Sequence, residues 1–238
     1  MKKLLAIALA VSTLHVTAQK NFDNAIKVNL SGLIAKNISL QYERKLSKRL
    51  SAALAYRNLP YGTVPFSSSL SKSVSGSGID FSKMNVGSSA VTPEVRLYVG
   101  KKGAMRGFYL GLFSSFSSYK TDFPITFSGR TGTFNGTMKA TTFGLQLGTQ
   151  MRISHRFYLD WWILGPNIGN ANGNLNLATS NLNANEQQAL RDQLQNIKDN
   201  APFAFVQSFT VDSNGAIVNL NGPWGGIRGL GFNLSFHF

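Results

Sequence analysis

The chain has 238 residues, a formal net charge of +14, 43% hydrophobic residues and no cysteine. The lack of cysteine excludes disulfide frameworks, thiol chemistry and cysteine-based metal sites. The basic excess suggests a nucleic-acid partner, but its distribution argues against one, because the basic residues cluster in short connections. This pattern favours a basic collar at a membrane surface or a solvated rim. The collar residues are Lys45, Lys48, Arg49, Lys101, Lys102, Arg106, Arg152 and Arg156.

The first 18 residues have the three parts of a secretory signal peptide. Lys2 and Lys3 form a basic start, residues 4–11 an apolar core, and Val16-Thr17-Ala18 a small-residue cleavage site. This core is too short to cross a bilayer as a helix, and no later stretch approaches the roughly 18 apolar residues needed. We therefore expect export without a helical anchor, and residues 19–238 as one domain.

Alternation of apolar and polar residues is the main structural signal in the mature chain. Such period-2 alternation is typical of strands that have one apolar face. The chain ends in a clear example, with Leu234, Phe236 and Phe238 alternating with Ser235 and His237. The pattern predicts eight strands, at residues 25–34, 38–43, 50–57, 92–99, 107–117, 139–152, 157–163 and 229–238.

The predicted connections alternate in length, as in outer-membrane barrels with short periplasmic turns and longer extracellular loops. Those at 47–49, 100–106 and 153–156 are short, those at 58–90, 118–138 and 165–225 are long, and 35–37 is a short exception. The Ser/Gly-rich loop 58–90 and the Asn-rich segment 167–185 are expected to be mobile.

The last long connection has structure of its own. Residues 186–199 have helical spacing of Leu190, Leu194 and Ile197, and Asn183 with Glu186 suits an N-terminal cap. The apolar face of this helix could dock a partner, but packing over the barrel mouth or against a nearby hairpin is favoured. That hairpin, residues 205–211 and 216–220, extends the sheet above the membrane or, alternatively, makes a ten-stranded barrel.

Alternation alone does not say which face points outward, because a soluble lipocalin-like barrel also alternates. Gly144, Gly148, Gly229 and Gly231 lie on the polar face, where the narrow interior of an eight-stranded barrel favours small side chains. The fold expected is therefore an all-β, eight-stranded antiparallel transmembrane barrel. Trp161, Trp162 and Trp224 are predicted to form an aromatic girdle, with a carbohydrate-stacking platform as the alternative.

Charged residues on the polar face are expected to meet inside the barrel. An unpaired ion in a confined lumen is costly, so they should form a structural network, and a proton or ion path is the alternative. The network is predicted to contain Lys27, Glu43, Arg57, Glu94, Arg96, Arg152 and Asp160.

Few residues are candidates for catalysis. His155 follows Ser154, and His237 lies two residues after Ser235, but no carboxylate is near either pair in sequence. No phosphate loop, zinc spacing or calcium-loop pattern appears. We expect no catalytic residues, no cofactor and no metal.

Four segments carry a resemblance to a known family. Taken together, they span nearly the whole mature chain; they are residues 24–30 (NAIKVNL), 39–44 (SLQYER), 159–166 (LDWWILGP) and 222–228 (GPWGGIR). The chain resembles a domain of unknown function that comprises small exported outer-membrane barrels of Gram-negative bacteria. The resemblance implies the barrel fold and the outer-membrane location, and it implies no catalytic residues.

Three functions are compatible with this sequence. The first is a non-enzymatic barrel, closed and structural or loop-presenting, that contacts a surface protein, a glycan or lipopolysaccharide. The others are a lipid-modifying enzyme and a narrow channel. For a barrel in the outer membrane, we expect contact with outer-membrane lipids and recognition of Phe236 and Phe238 by the barrel assembly machinery.

Overall fold

The computed structural model describes residues 22–63, 83–200 and 205–238. The predicted signal peptide and most of the Ser/Gly-rich loop lie outside the described residues. The described chain is all-β, with a closed eight-stranded antiparallel barrel and two short helices. None of its helices is both long and apolar enough to span a bilayer.

The barrel is a meander whose two ends meet. Its first half consists of β1 (Asn24–Asn29), β2 (Ile38–Lys45), β3 (Leu50–Thr63) and β4 (Asn85–Tyr98). Its second half consists of β5 (Gly107–Phe127), β6 (Arg130–Arg152), β7 (Phe157–Leu164) and β11 (Gly231–His237). Because β11 pairs with both β7 and β1, the sheet closes with eight strands, and the ten-stranded alternative was wrong.

Three further strands extend the sheet beyond the barrel at the loop end, which is the end opposite the short turns. They are β8 (Pro166–Ala178), β9 (Val206–Asp212) and β10 (Gly215–Ile227), and they lie beside the upper part of β6 in the order β6-β8-β10-β9. The expected hairpin is β9 and β10, with its turn at residues 213–214. It extends the sheet, as one of the two alternatives proposed.

Two barrel strands are joined to strands of the extended sheet with only a short interruption: β7 leads into β8, and β10 leads into β11. On the β7–β8 path, Leu147 pairs with Leu164 but Gly148 pairs with Trp162, so Ile163 is an extra residue at a β-bulge. A bulge of this kind reverses which residues face inward. On the β10–β11 path, the break is at residues 228–230, where Leu230 has a φ of 53°. The inner face of the barrel thus continues onto the extended sheet.

Several predicted boundaries were wrong. The first strand ends at Asn29, because the Asn29 side chain accepts a hydrogen bond from the Gly32 N–H at 2.5 Å and starts helix α1 (Leu30–Ile34). Residues 118–138 are not a loop, since β5 and β6 continue through them to a turn at Ser128-Gly129. The Asn-rich residues 167–178 are strand, because β6 and β10 pair with them on both sides.

The barrel is apolar outside and polar inside. On β1, Lys27 is fully buried while Ile26 is 40% exposed, and on β5 Tyr109 is fully buried while Leu112 is 66% exposed. On β11, Asn233, Ser235 and His237 are buried and Phe232, Leu234 and Phe236 are exposed. This arrangement is the inverse of a soluble barrel, whose apolar face points inward.

Helix α2 (Ala184–Asn200) covers part of the extended sheet and creates a second apolar core, which we call the outer core. Leu190 and Leu194 are buried there, as the helical spacing predicted. The other buried members are Ile125, Phe127, Phe134, Leu177, Leu182, Ala216, Val218 and Leu220. Because this core is outside the barrel, β8, β9, β10 and α2, which we call the extension, have a packed interior of their own.

The N-terminus of α2 is fixed by a reciprocal cap. The Glu186 N–H donates to Asn183 Oδ1, and the Asn183 N–H donates to a Glu186 carboxylate oxygen, both at 2.9 Å. Arg130 at the β5–β6 turn pairs with the same carboxylate at 3.1 Å. The hydrogen bond from the Asn183 N–H is the main cause that lowers the pKa of Glu186 below its ordinary value, and Arg130 lowers this pKa further. The predicted cap is therefore present, and it also links the helix to the hairpin.

Leu190→Ala should loosen the extension without opening the barrel. Leu190 is fully buried in the outer core, and removing such a side chain costs about 2–5 kcal/mol. Hydrogen exchange should accelerate in residues 184–200 and in β9, while the protection of β1, β2 and β11 is retained. Gln188→Ala, on the exposed face of the same helix, is the control and should change neither. Equal loss of protection in β1 and β11 would contradict two separate cores.

Candidate functional site

The lumen holds a network of three carboxylates and three cations. Each of these side chains points into the barrel from a strand or the end of a strand, and the three positive charges balance the three negative charges. Five of the six side chains are fully buried, and the sixth, Arg228, is 16% exposed. The network consists of Lys27 on β1, Glu43 on β2, Glu94 and Arg96 on β4, Asp160 on β7, and Arg228 between β10 and β11.

Lys27 joins two of the carboxylates. Its Nζ contacts Glu43 Oε2 and lies 2.5 Å from Asp160 Oδ2. Glu43 Oε1 accepts hydrogen bonds from Ser51 Oγ at 2.5 Å and Tyr98 OH at 2.6 Å. Asp160 Oδ1 accepts from Tyr109 OH at 2.9 Å. Each oxygen of these two carboxylates thus has at least one donor, which is what a buried charge requires.

Arg96 is the central member of the network. Its Nη1 lies 2.8 Å from Asp160 Oδ2 and 3.2 Å from Glu43 Oε2. Its Nε donates to Glu94 Oε1 at 2.7 Å, and its Nη2 donates to Gln41 Oε1 at 3.0 Å. One guanidinium therefore contacts all three carboxylates, as its planar fork of donors allows.

Two lumen glycines make room for this network. A Cβ on Gly148 would lie 2.3 Å from Tyr109 OH, and one on Gly111 would lie 2.7 Å from Glu94 Oε1. Any larger residue would displace Tyr109 or Glu94 from the contacts described above. Gly148 thus has the role that the sequence suggested for glycines on the polar face.

Arg228 extends the network toward the loop end. Its Nη1 donates to Glu94 Oε2 at 2.9 Å, and its guanidinium lies over the Trp162 ring, 3.8 Å from the centroid. The sequence pattern did not predict a lumen position for Arg228, because strict alternation back from Phe238 puts even-numbered positions outside. The break at residues 228–230 shifts the alternation by one residue, so that Arg228 faces inward. Gly225, Gly226 and Gly229 around Arg228 were the features of the sequence that indicated such a break.

The structure brings together five of the seven charged residues predicted to meet: Lys27, Glu43, Glu94, Arg96 and Asp160. Arg152 does not join them, because it lies at the exposed end of β6 and its Nε donates to Ser154 O at 2.9 Å. Arg57 does not join them either, because it lies nearer the loop end on β3. For these two residues the prediction was wrong.

The three tryptophans do not form one girdle. Trp161 points outward and stacks on Phe232, with 5.8 Å between ring centroids. Trp162 points into the lumen and is 7% exposed, since it follows Asp160 by two residues on the same strand. Trp224 lies on the extension, between Tyr119 and Phe205. The girdle prediction was therefore wrong for Trp162 and Trp224.

The terminal phenylalanines lie at the seam of the barrel. Phe236 faces outward between Phe157 and Phe238, with ring centroids 5.4 and 6.2 Å away. The Phe238 N–H donates to Asn24 O at 2.9 Å, and the Asn24 N–H donates to Phe238 O at 3.1 Å. The last residue of the chain thus takes part in closing the sheet.

The histidines and serines considered for catalysis have other surroundings. His237 stacks on Tyr158 at 3.8 Å, and His155 contacts Phe22 edge-on at 5.3 Å. Within the described ranges, His237 Nε2 and Ser235 Oγ have no hydrogen-bond partner, so the two are not coupled as a nucleophile and its base would be. In the same ranges, no group of three or more His, Asp or Glu side chains is placed to hold a metal ion.

A cavity of about 250 Å³ lies above the network at the loop end, and we call it the vestibule. Arg57 and Arg228 line it together with hydroxyl and aromatic side chains. Arg57 Nε and Arg228 Nη2 are buried and have no hydrogen-bond partner among the described residues. The other polar or aromatic lining residues are Ser39, Thr92, Phe113, Ser115, Ser117, Tyr119, Thr142, Trp162, Asn167 and Trp224.

A second cavity, of about 380 Å³, lies at the turn end. The predicted collar residues from two turns, β2–β3 and β4–β5, come together around it. The Ala104 N–H donates to Lys48 O at 2.8 Å and holds these turns against each other. Its basic lining residues are Lys45, Lys48, Arg49, Lys101, Lys102 and Arg106.

Comparison with known proteins identifies the family. The family model described as "Protein of unknown function (DUF3575)" matches residues 4–169, which is more than half of the chain. The chain belongs to this family. The match includes five of the six charged network residues and ends before the sixth, Arg228, and before Trp224. No curated protein matches the chain at a significant level.

Lys27→Met should cost about 3–5 kcal/mol of unfolding free energy, because it removes one partner of buried carboxylates. Lys45→Met is the matched control: Lys45 lies 3.1 Å from Asp23 in a solvent-exposed ion pair, and such pairs contribute about 0–1 kcal/mol. Urea unfolding of the protein folded in lipid vesicles would measure both. Equal small losses would contradict the structural importance of the lumen network.

Proposed function

We propose that this protein is a non-enzymatic outer-membrane β-barrel of a Gram-negative cell, exported by its N-terminal signal peptide. In this proposal its filled lumen stabilises the barrel, and the extended sheet with helix α2 is presented outside the cell. The extension contacts a surface protein, a glycan or lipopolysaccharide. The observation that carries the proposal is the apolar outer surface of a barrel whose ion-pair network lies inside.

The exposed apolar belt argues for lipid contact. Soluble proteins rarely expose contiguous apolar patches larger than a few hundred Å². Here every barrel strand contributes large apolar side chains to the exterior, including Leu40, Leu54, Val95, Leu112, Leu145 and Phe232, each of which is at least 40% exposed. A lipid bilayer covers such a belt without cost, and closure of the barrel leaves no unpaired edge within it.

The two ends of the barrel differ as the two sides of an outer membrane require. The end with the short turns carries the basic collar, which suits anionic lipid headgroups of the periplasmic leaflet. The opposite end carries the long extension with its own apolar core. Periplasmic turns are short and extracellular segments long in outer-membrane barrels, and this difference supports the proposal that the extension faces the outside of the cell.

The filled interior favours a structural role over a channel. Arg96, Tyr98, Tyr109 and Lys27 are fully buried within the barrel. At the turn end, Met105 from the β4–β5 turn is 1% exposed and packs against the lumen aromatics. An eight-stranded barrel has an interior just wide enough for side chains, and here side chains occupy it.

Leu112→Arg should oppose membrane insertion. A charge on the lipid-facing side of a barrel costs about 2–4 kcal/mol at the bilayer midplane and about 0–1 kcal/mol near the interface. Ile217→Arg is the matched control, because Ile217 is an exposed apolar residue of β10 on the extension. Folding into lipid vesicles, measured by urea titration, should be impaired for Leu112→Arg alone. Equal stabilities would contradict a bilayer around the barrel.

Deletion of Phe238 should reduce the folded, heat-modifiable species in the outer membrane, since the proposal makes the terminal strand the assembly signal. The matched control is Phe157→Ala, which removes another outward ring of the same aromatic cluster and leaves the terminus intact. Cell fractionation with heat-modifiability gels measures both variants. An undiminished folded species after deletion would remove this role from Phe238.

A further inference from the structure

We propose that the vestibule binds a small anionic ligand, of the size of one acidic sugar residue, through its carboxylate or phosphate group. The proposal rests on the proposed function in one respect only, which is that the loop end faces the outside of the cell. It adds a defined site and a ligand class to the general expectation of a surface contact.

The cations of the vestibule are not all neutralised. The three carboxylates of the lumen network are balanced by Lys27, Arg96 and Arg228, and Arg57 has no ion-pair partner among the described residues. Counted over the described residues, this leaves a net positive charge in a partly enclosed space. A concave site with one sign of charge attracts ligands of the opposite sign.

Both arginines also have unused donors. Arg57 Nε and Arg228 Nη2 are buried N–H groups without a hydrogen-bond partner in the described part of the chain. Leaving such a buried donor unsatisfied is unfavourable. Both arginines line the vestibule, and hydrogen bonds from a guanidinium to a carboxylate or phosphate are of the strong, charge-assisted kind.

The walls fit a sugar better than a bare ion. The hydroxyl groups of Ser39, Thr92, Ser115 and Thr142 line the cavity and both donate and accept hydrogen bonds. Trp224, which is half-buried, adds an aromatic ring at the outer side. The volume of about 250 Å³ lies just below the 300–1,000 Å³ range of ordinary ligand pockets, so one small ligand or the end of a larger one fits.

The position of the vestibule supports binding rather than passage. On the inner face of β5, Phe113 is followed by Ser115, Ser117 and Tyr119, and then by Ile125 and Phe127 of the outer core. The cavity therefore lies between the filled lumen and the core covered by α2. A ligand can enter from the loop end, and the network blocks its way through the barrel.

Binding to the purified protein, folded in detergent micelles, tests this site. The probes are glucuronate, glucose 6-phosphate, neutral glucose and inorganic phosphate, each titrated by calorimetry and by tryptophan fluorescence. We expect saturable binding of glucuronate, glucose 6-phosphate or both, at least tenfold tighter than glucose or inorganic phosphate. Tighter binding of glucuronate would indicate a carboxylate ligand, and tighter binding of glucose 6-phosphate would indicate a phosphate ligand.

Arg57→Gln should weaken that binding about tenfold or more, because it removes the charge but none of the lumen ion pairs. Arg152→Gln, at the opposite end of the barrel, is the matched control and should bind like the unchanged protein. Heat-modifiability confirms that each variant is folded. No saturable binding of either anionic sugar would overturn the proposal, as would inorganic phosphate binding equally tightly or equal affinities of the two variants.

This result is independent of the membrane proposal. The titrations need neither cells nor a bilayer, so their failure would leave the outer-membrane proposal standing. Conversely, a neutral outcome for Leu112→Arg in vesicles would contradict the membrane location without affecting the measured affinity for the sugars.

Discussion

Compensation of buried charge inside the barrel is the constraint on which the rest of the structure depends. A single guanidinium, that of Arg96, contacts all three lumen carboxylates, and Lys27 and Arg228 complete the balance. Removing two charges from water is costly, and their attraction offsets that cost only when geometry is good and remaining hydrogen bonds are made. Strand register must therefore be correct at β1, β2, β4 and β7 together, so the network selects one closure of the sheet.

The same constraint determines the outer surface. Because side chains alternate along a strand, filling the interior with polar groups puts the apolar residues outside. An eight-stranded barrel leaves little room, and Gly111 and Gly148 provide the space that Glu94 and Tyr109 occupy. Core and surface are thus two consequences of one pattern, and the apolar belt that supports membrane insertion follows from how the lumen is filled.

The barrel was predictable from sequence because alternation is local and strong. The number and order of the eight barrel strands, the helix with its Asn183–Glu186 cap and the last hairpin agree with the structure, whereas several strand ends do not. The composition of the Asn-rich segment predicted a mobile loop, but its periodicity is that of a strand. Asn170, Asn172, Asn174 and Asn176 are all exposed and alternate with Ala171, Leu175 and Leu177 on the inner face, which is a strand pattern with asparagine as its polar half.

What could not be predicted depends on irregularities of the backbone and on position along the barrel axis. The extra residue at Ile163 and the break at residues 228–230 change which side chains face inward, so Arg228 was missed. Alternation assigned Arg57 and Arg152 to the correct face, but it gives no height along the axis. One lies in the vestibule and the other lies at the exposed turn end, on opposite sides of the network.

Trp161 and Trp162 offer the most direct test that the apolar face meets lipid while the adjacent face meets the filled lumen. Two single-tryptophan variants, Trp162→Phe/Trp224→Phe and Trp161→Phe/Trp224→Phe, would be folded into vesicles of brominated lipid. Fluorescence of Trp161 should be strongly quenched by the brominated chains, and fluorescence of Trp162 should be nearly unaffected. Equal quenching of the two, or quenching of neither, would contradict the inside-out barrel in a bilayer.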